Sequence, residues 1–387
     1  MKKVAIIPLR AGSKGIPGKN RKKLLGRPLF TWSLGEAISS NLDEIYVYTD
    51  DKKIIEFVNK EYNWCKKVKI LERSESSATD TASTEFAMQE FSTKIKENYD
   101  ILCLLQATSP LIKKENINDC LERLEKEGYD SALSVVKTKR FIWNENGESL
   151  NYDYKNRPRR QDFNGLLMEN GAVYATTKSQ FLSSGIRIGG KIAIVEMAED
   201  SLIEIDEKED WIIVEKLIEN NIKKNKELNK KIKLLCLDVD GVFTDGNVTN
   251  GAEGEFSKVF SMRDGMGLEI LRENGVEVIV MTSENSKIVE NRMRKLNLVD
   301  DLYMGVKDKY SRLESVLKNK KLTRAEVAYI GDDINDLSNL LSVGWGIAPN
   351  DCVEEVKISV DLLLNNSGGN KAIREAVDFI IKYNSRI

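Results

Sequence analysis

Three places in the chain combine residue types and spacings that can do chemistry. The first is Leu9-Arg-Ala-Gly-Ser-Lys-Gly-Ile-Pro-Gly-Lys-Asn20, a glycine-rich cationic loop behind the first apolar run. Its glycines let backbone amides approach an anion, and Arg10, Lys14 and Lys19 supply positive charge. It is not a Walker loop: Gly12 to Gly18 is one residue too long, and Asn20 stands where a Ser or Thr would hold magnesium. Glycine plus lysine describes a solvated basic loop equally well. The second place is Glu204-Ile205-Asp206, whose carboxylates point to one side of an extended segment and suit a hard cation. By itself this is also an ordinary acidic edge.

The third is Asp238-Val-Asp240, at the end of the apolar run Ile232–Leu237. Two aspartates at i and i+2 there suit a nucleophile beside an acid/base partner, although a lone pair of this kind often only caps a strand. Three signals follow in order. Thr282 and Ser283 end a second apolar run, Lys309 precedes a helical pattern, and Gly331-Asp332-Asp333-Ile-Asn-Asp336 ends a third run with clustered carboxylates.

Composition narrows the chemistry. None of the 387 residues is histidine, which excludes Ser-His-Asp triads, Cys-His dyads and His-ligated zinc. Catalysis must run on carboxylates, Lys, Arg, hydroxyls and hard metal ions. With 59 Lys plus Arg against 61 Asp plus Glu, the net charge is -2, which argues against nucleic acid as a partner. The apolar runs are too short to span a membrane, and Arg10 breaks the only candidate signal segment. Five scattered cysteines without a C-x-x-C pattern read as reduced, cytoplasmic thiols.

The elements that must position these groups follow from pattern. Val4–Leu9, Ile45–Thr49, Ile101–Gln106, Ser131–Val136 and Ile192–Met197 read as strands, with helical spacing over 51–60 and 114–127. Such alternation predicts a mainly parallel α/β sheet. A polar, basic stretch over 220–231 reads as a linker, after which Ile232–Leu237, Val276–Thr282 and Val327–Ile330 restart the alternation. At ~150 residues per domain, two α/β domains are expected: 1–226, a linker at 227–231, and 232–387. The Asn250-Gly251 pair predicts a hairpin in the short stretch between the first acidic motif and the next helix, leaving no room for a large cap.

The opening loop resembles that of the CMP-N-acylneuraminate synthetases, with Ser13-Lys14-Gly15 and Lys19-Asn20 separating it from the KDO cytidylyltransferases. The resemblance runs through the first domain in Arg73 with Asp80-Thr-Ala-Ser83, Gln106-Ala-Thr-Ser-Pro-Leu111, Arg159-Arg-Gln-Asp162, Glu169-Asn-Gly-Ala-Val-Tyr174 and Glu204-Ile-Asp206. It implies a Rossmann-like nucleotidyltransferase that couples CTP to a nonulosonic acid. Arg10, Gly12, Ser13, Lys14, Lys19, Asn20, Arg73, Asp80, Ser83 and Gln106 would bind CTP, with Lys19 and Arg10 catalytic. Gln106, Thr108, Arg160, Gln161, Asn170 and Tyr174 would line the sugar side, and Glu204 and Asp206 would hold Mg2+.

The second domain resembles the haloacid-dehalogenase-type phosphatases. That resemblance makes Asp238 the nucleophile and Asp240 the acid/base, Thr282 and Lys309 the phosphate binders, and Asp238, Asp240 and Asp332 the magnesium ligands. The tail from Gly368 to Glu375 is similar to that of KDO-8-phosphate phosphatases, which are tetramers. Animal CMP-sialate synthetases typically lack the first motif aspartate, whereas Asp238 and Asp240 are both present here. The resemblance therefore implies a bifunctional enzyme that dephosphorylates a nonulosonic acid 9-phosphate and activates the product. It further implies a homo-oligomer, dimeric through the first domain and tetrameric through the second. KDO-, legionaminate- or pseudaminate-type acids are the alternative substrates, and a non-catalytic oligomerisation module is the alternative for the second domain.

Overall fold

The computed structural model describes every residue except Lys14, Lys96, Glu97 and Glu253. The chain divides into two compact units: Met1–Lys22 with Pro28–Leu217, and Lys23–Arg27 with Ile218–Ile387. The division thus falls inside the helix Lys208–Lys224 rather than at the polar stretch 227–231, and a short early segment joins the second unit. Among the described residues, no helix is long and apolar enough to cross a membrane.

The first unit is built on a seven-stranded sheet. Its order is Val68–Glu72, Glu44–Thr49, Lys3–Leu9, Ile101–Leu105, Leu166–Thr177, Ser131–Thr138 and Ile192–Met197. Only Leu166–Thr177 runs antiparallel to its neighbours. The central strands read as unbroken apolar runs because both faces are covered. Ala5, Ile7, Ile101 and Cys103 pack into one core layer, and the residues between them, Val4, Ile6, Leu102 and Leu104, into the other. The helix Lys52–Glu61 starts where the Asp51 side chain accepts from Lys53 N, and Lys114–Glu127 covers the span its spacing predicted.

The second unit has a six-stranded parallel sheet in the order Leu302–Tyr303, Glu277–Met281, Leu234–Leu237, Val327–Ile330, Trp345–Ala348 and Leu362–Leu363. The predicted hairpin is present, but its arms are Thr249–Gly251 and Gly254–Ser257, so Asn250 and Gly251 lie on the first arm and not at the turn. In both sheets the first strand of the unit sits between two neighbours reached by crossovers in opposite directions. This leaves a crevice at the carboxyl ends of the strands, the usual ligand position of open α/β sheets.

Candidate active sites

In the first unit, the crevice is a cavity of about 320 Å³ at the ends of Lys3–Leu9 and Ile101–Leu105. The sequence-predicted Arg10, Gly12, Ser13, Lys19 and Asn20 line it from the opening loop. Arg73, Asp80, Gln106 and Thr108 line it from later loops, and Glu204 and Asp206 close the far side. The loop is held from behind: Ala11 N donates to Asp50 Oδ1 at 2.8 Å, and Asn20 Nδ2 to Arg10 O at 3.3 Å. Arg10 Nη1 pairs with Asp80 Oδ1 at 2.6 Å. Lys19 Nζ donates to Ile205 O at 2.6 Å and Asp206 Oδ1 at 3.0 Å, so the cation is already seated against the acidic segment. Burial lowers the Arg73 pKa from its ordinary value.

Glu204 has its carboxyl pKa raised, first by burial and then by the neighbouring Asp206 charge. Thr108 Oγ1 donates to its Oε2 at 3.3 Å. The half-buried Glu204 carboxylate and the exposed Asp206 carboxylate repel each other and line one cleft, a donor set suited to a hard cation. Gly171 makes room for Glu204. Its φ is +67°, and a Cβ there would stand 2.1 Å from Glu204 Oε1. Gly171→Ala should therefore cost roughly 1–3 kcal/mol of stability and displace Glu204. The expected readout is a weaker divalent-metal activation of nucleotide transfer with phosphate release unchanged, measured by metal titration.

Other predicted residues are placed elsewhere. Lys14 lies outside the described residues. Ser83 uses its hydroxyl as the cap of the helix Thr84–Lys94, accepting from Phe86 N at 3.1 Å. Asn170, expected on the sugar, is 1% exposed, and its amide is engaged by Ser134 Oγ at 2.7 Å and by Ser201. It ties the strand Leu166–Thr177 to its surroundings. Tyr174 is buried and donates to Glu169 Oε2 at 3.0 Å. Arg160 and Gln161 are exposed and do not line the cavity; Arg160 lies 3.8 Å from Glu199. Strand pairing governs where Asn170 and Tyr174 point, and a motif read along the chain does not register it.

In the second unit, Asp238 follows Leu237 at the end of the central strand, with its backbone N–H on Ile330 O at 2.9 Å. Asp332 follows the adjacent strand Val327–Ile330, and Thr282 follows Glu277–Met281, so three strand ends deliver three predicted residues to one crevice. Lys309, the first residue of the helix Lys309–Lys320, is 1% exposed. Its Nζ reaches Asp238 Oδ2 at 2.7 Å and Asp336 Oδ1 at 2.8 Å. Burial works to lower the Lys309 pKa, but the two carboxylates outweigh it and hold the ammonium above its ordinary range.

Asp336, assigned no role from sequence, belongs to this site. It also accepts from Tyr329 OH at 2.6 Å, and its carboxylate lies with those of Asp238 and Asp332 within 4.8 Å. Burial and the Asp336 charge push Asp332 up to about 7, and burial raises Asp238 well above the carboxylate range. Asp332 Oδ1 and Asp336 Oδ2 are buried without a hydrogen-bond partner. Three carboxylates against one ammonium leave an excess of negative charge and orphaned oxygens, which is what a divalent cation would satisfy. Gly241, at φ +83°, keeps the space clear, since a Cβ there would lie 2.0 Å from Asp332 Oδ2.

Asp240, expected among the ligands, instead pairs at 2.5 Å with the buried Lys258 beside the hairpin arm. No sequence signal marked Lys258. Asp333 caps a short turn by accepting from Ile334 N. Asp264 accepts from Lys371 N and Arg374 N, capping the helix Ala372–Asn384. Gly368, just before that helix, must be glycine because a Cβ would meet Gly241 O at 2.0 Å.

A cytidylyltransferase family profile matches residues 4–234, and a haloacid dehalogenase-like hydrolase profile matches residues 281–376. N-acylneuraminate cytidylyltransferase B of Danio rerio is 31% identical over 388 aligned residues, covering 98% of this chain and 90% of the relative. The Oncorhynchus mykiss N-acylneuraminate cytidylyltransferase is 33% identical, with coverages of 97% and 88%.

This chain belongs to the N-acylneuraminate cytidylyltransferase family.

Within that family it carries a second enzyme domain of the haloacid dehalogenase type, so it is built for both CMP-sugar synthesis and phosphate-ester hydrolysis. The 3-deoxy-D-manno-octulosonate 8-phosphate phosphatase KdsC of Escherichia coli strain K12 is 34% identical over 152 residues, covering 39% of this chain and 80% of the relative. The cobalt-bound structure of the corresponding Haemophilus influenzae phosphatase is 34% identical, covers 40% of this chain and 90% of its own, and superposes with a TM-score of 0.39.

Proposed function

We propose that the first domain transfers a cytidylyl group from CTP to an N-acylneuraminate, and that the second removes phosphate from the 9-phosphate of the same class of acid. The observation that carries this reading is similarity to N-acylneuraminate cytidylyltransferases along nearly the whole chain, combined with a complete set of acidic groups in the second crevice.

In the first cleft, Arg10, Lys19 and Arg73 converge as counter-charges for a triphosphate. The acid's anomeric hydroxyl attacks the α-phosphorus and gives up its proton to solvent, the bond to the β-phosphate oxygen breaks, and pyrophosphate leaves. Lys19 and Arg10 stabilise the charge that develops on the phosphate oxygens. In the second crevice, Asp238 attacks phosphorus, and Asp240 gives its proton to the departing sugar oxygen. Asp240 then takes a proton from the water that hydrolyses the phosphoaspartate. Lys309 and Thr282 hold the phosphoryl oxygens throughout. Glu204 and Asp206 would hold magnesium in the first unit, and Asp238 and Asp332 in the second, where the ion would supply further neutralisation of phosphate charge.

Similarity to KDO 8-phosphate phosphatases over the second unit favours a second reading, in which the phosphatase substrate is KDO-like. A panel of free acids with CTP, and of their phosphates, separates the two. Pyrophosphate release is expected to be at least ~10-fold faster with N-acetylneuraminate than with KDO, legionaminate or pseudaminate, and EDTA should abolish both reactions. Faster turnover of KDO and its 8-phosphate would overturn the substrate assignment.

We further infer a cytoplasmic homo-oligomer, a dimer through the first domain and a tetramer through the second. All five cysteines are free thiols, which suits a reducing compartment. Exposed apolar side chains gather at Leu166, Leu167 and Met168 in the first unit, and at Phe256, Val259 and Met262 in the second.

A further inference from the structure

We propose that Arg27 is a positioning residue of the phosphatase, acting through Asp308 on Lys309; the proposal rests on the phosphatase reading above. Lys23–Arg27 belongs to the second unit, although its sequence neighbours on both sides belong to the first. Arg27 is buried, and its guanidinium grips both carboxylate oxygens of the equally buried Asp308. Nε reaches Oδ1 at 3.1 Å, and Nη2 reaches Oδ2 at 3.3 Å, with a further bond to Ser311 Oγ at 3.0 Å. Two-point pairing of this kind fixes orientation as well as charge.

Asp308 is the N-cap of the helix that Lys309 opens, and its Oδ1 accepts from Ser311 N at 3.3 Å. Whatever holds Asp308 therefore sets where the Lys309 side chain begins. That side chain must place one ammonium between Asp238 and Asp336, at 2.7 and 2.8 Å, with almost no exposed surface in which to readjust.

The same short segment braces the other partner of Lys309. Ser338 Oγ donates to Leu25 O. Gly26, at φ +82°, brings its backbone so close to Ile334 O that a Cβ would lie 2.0 Å away. The turn Ile334–Asp336 carries Asp336. Contacts of Leu25, Gly26 and Arg27 thus connect this one segment to both ends of the Lys309–Asp336 pair, across 281 residues of sequence in the case of Arg27 and Asp308.

The test uses the full chain with magnesium, p-nitrophenyl phosphate as substrate and orthovanadate as a phosphoryl analogue. Arg27→Met is expected to lower kcat for phosphate release at least tenfold and to raise the vanadate inhibition constant at least tenfold. In Arg27→Met/Asp308→Asn the buried charge is removed while a capping acceptor stays, so kcat should recover by threefold or more over the single variant. Mere structural damage would not yield that recovery. If Arg27→Met does not fold, Arg27→Lys decides: the charge is kept, the two-point grip is lost, and kcat and vanadate binding should both weaken several-fold. Wild-type values in either folded variant, or a double variant no better than the single, overturn the proposal alone. A wild type that releases no phosphate overturns the phosphatase reading and the proposal with it.

Discussion

Asp238→Asn is expected to lose phosphate release by at least ~10⁴-fold while nucleotide transfer stays at the wild-type rate. The substitution keeps shape and volume but replaces the attacking carboxylate by an amide that cannot act as a nucleophile. Lys309 retains Asp336 as its anionic partner at 2.8 Å, so the crevice should not collapse around an unpaired ammonium. Removing one of three clustered carboxylates also relieves their mutual repulsion, and unchanged or slightly higher thermal stability is the expected accompaniment. Phosphate release measured with a coupled colorimetric assay checks the first part, and pyrophosphate release on the same sample checks the second. Residual phosphate release near the wild-type rate would remove Asp238 from the mechanism.

Lys19→Ala is expected to lower kcat for nucleotide transfer by roughly 10²–10³-fold, with phosphate release unaffected. Lys19 is the cation seated deepest against the acidic segment, bonded to Ile205 O and Asp206 Oδ1. Its removal takes a fixed positive charge from the place where negative charge grows during pyrophosphate departure. It also frees Asp206 to move, so the loss should appear in kcat more than in the KM for CTP. A variant that binds CTP weakly but turns over normally would restrict Lys19 to substrate binding.

The residues that line the two crevices were mostly legible because they stand at strand ends. Arg10, Gln106, Asp238, Thr282 and Asp332 each follow an apolar run in the sequence, and parallel strands deliver their carboxyl ends to one edge. The edge strand Val68–Glu72 was not legible: it is only half-buried, and Lys69 interrupts its apolar character. The strand Leu302–Tyr303 carries too few residues for a period to show, and Gly346 interrupts the apolar run of Trp345–Ala348. Gly368-Gly369, which open the tail similar to that of KDO-8-phosphate phosphatases, make a close approach of backbone to the loop behind Asp238, which the sequence does not show.

The chain's own order determined which residue types arrive at the two crevices, and the lack of histidine determined that acids, cations and hard metals must do the work there. Both follow from local rules, since side-chain alternation and the polarity of a βα unit act over a few residues. Which of those residues meet was decided by packing alone. Asp336 rather than Asp240 shares Lys309, Lys258 takes Asp240, Asn170 is spent on its own sheet, and Arg27 reaches Asp308. Each of these is a contact of about 3 Å between side chains whose separation in space depends on how sheets and helices settle over the whole unit.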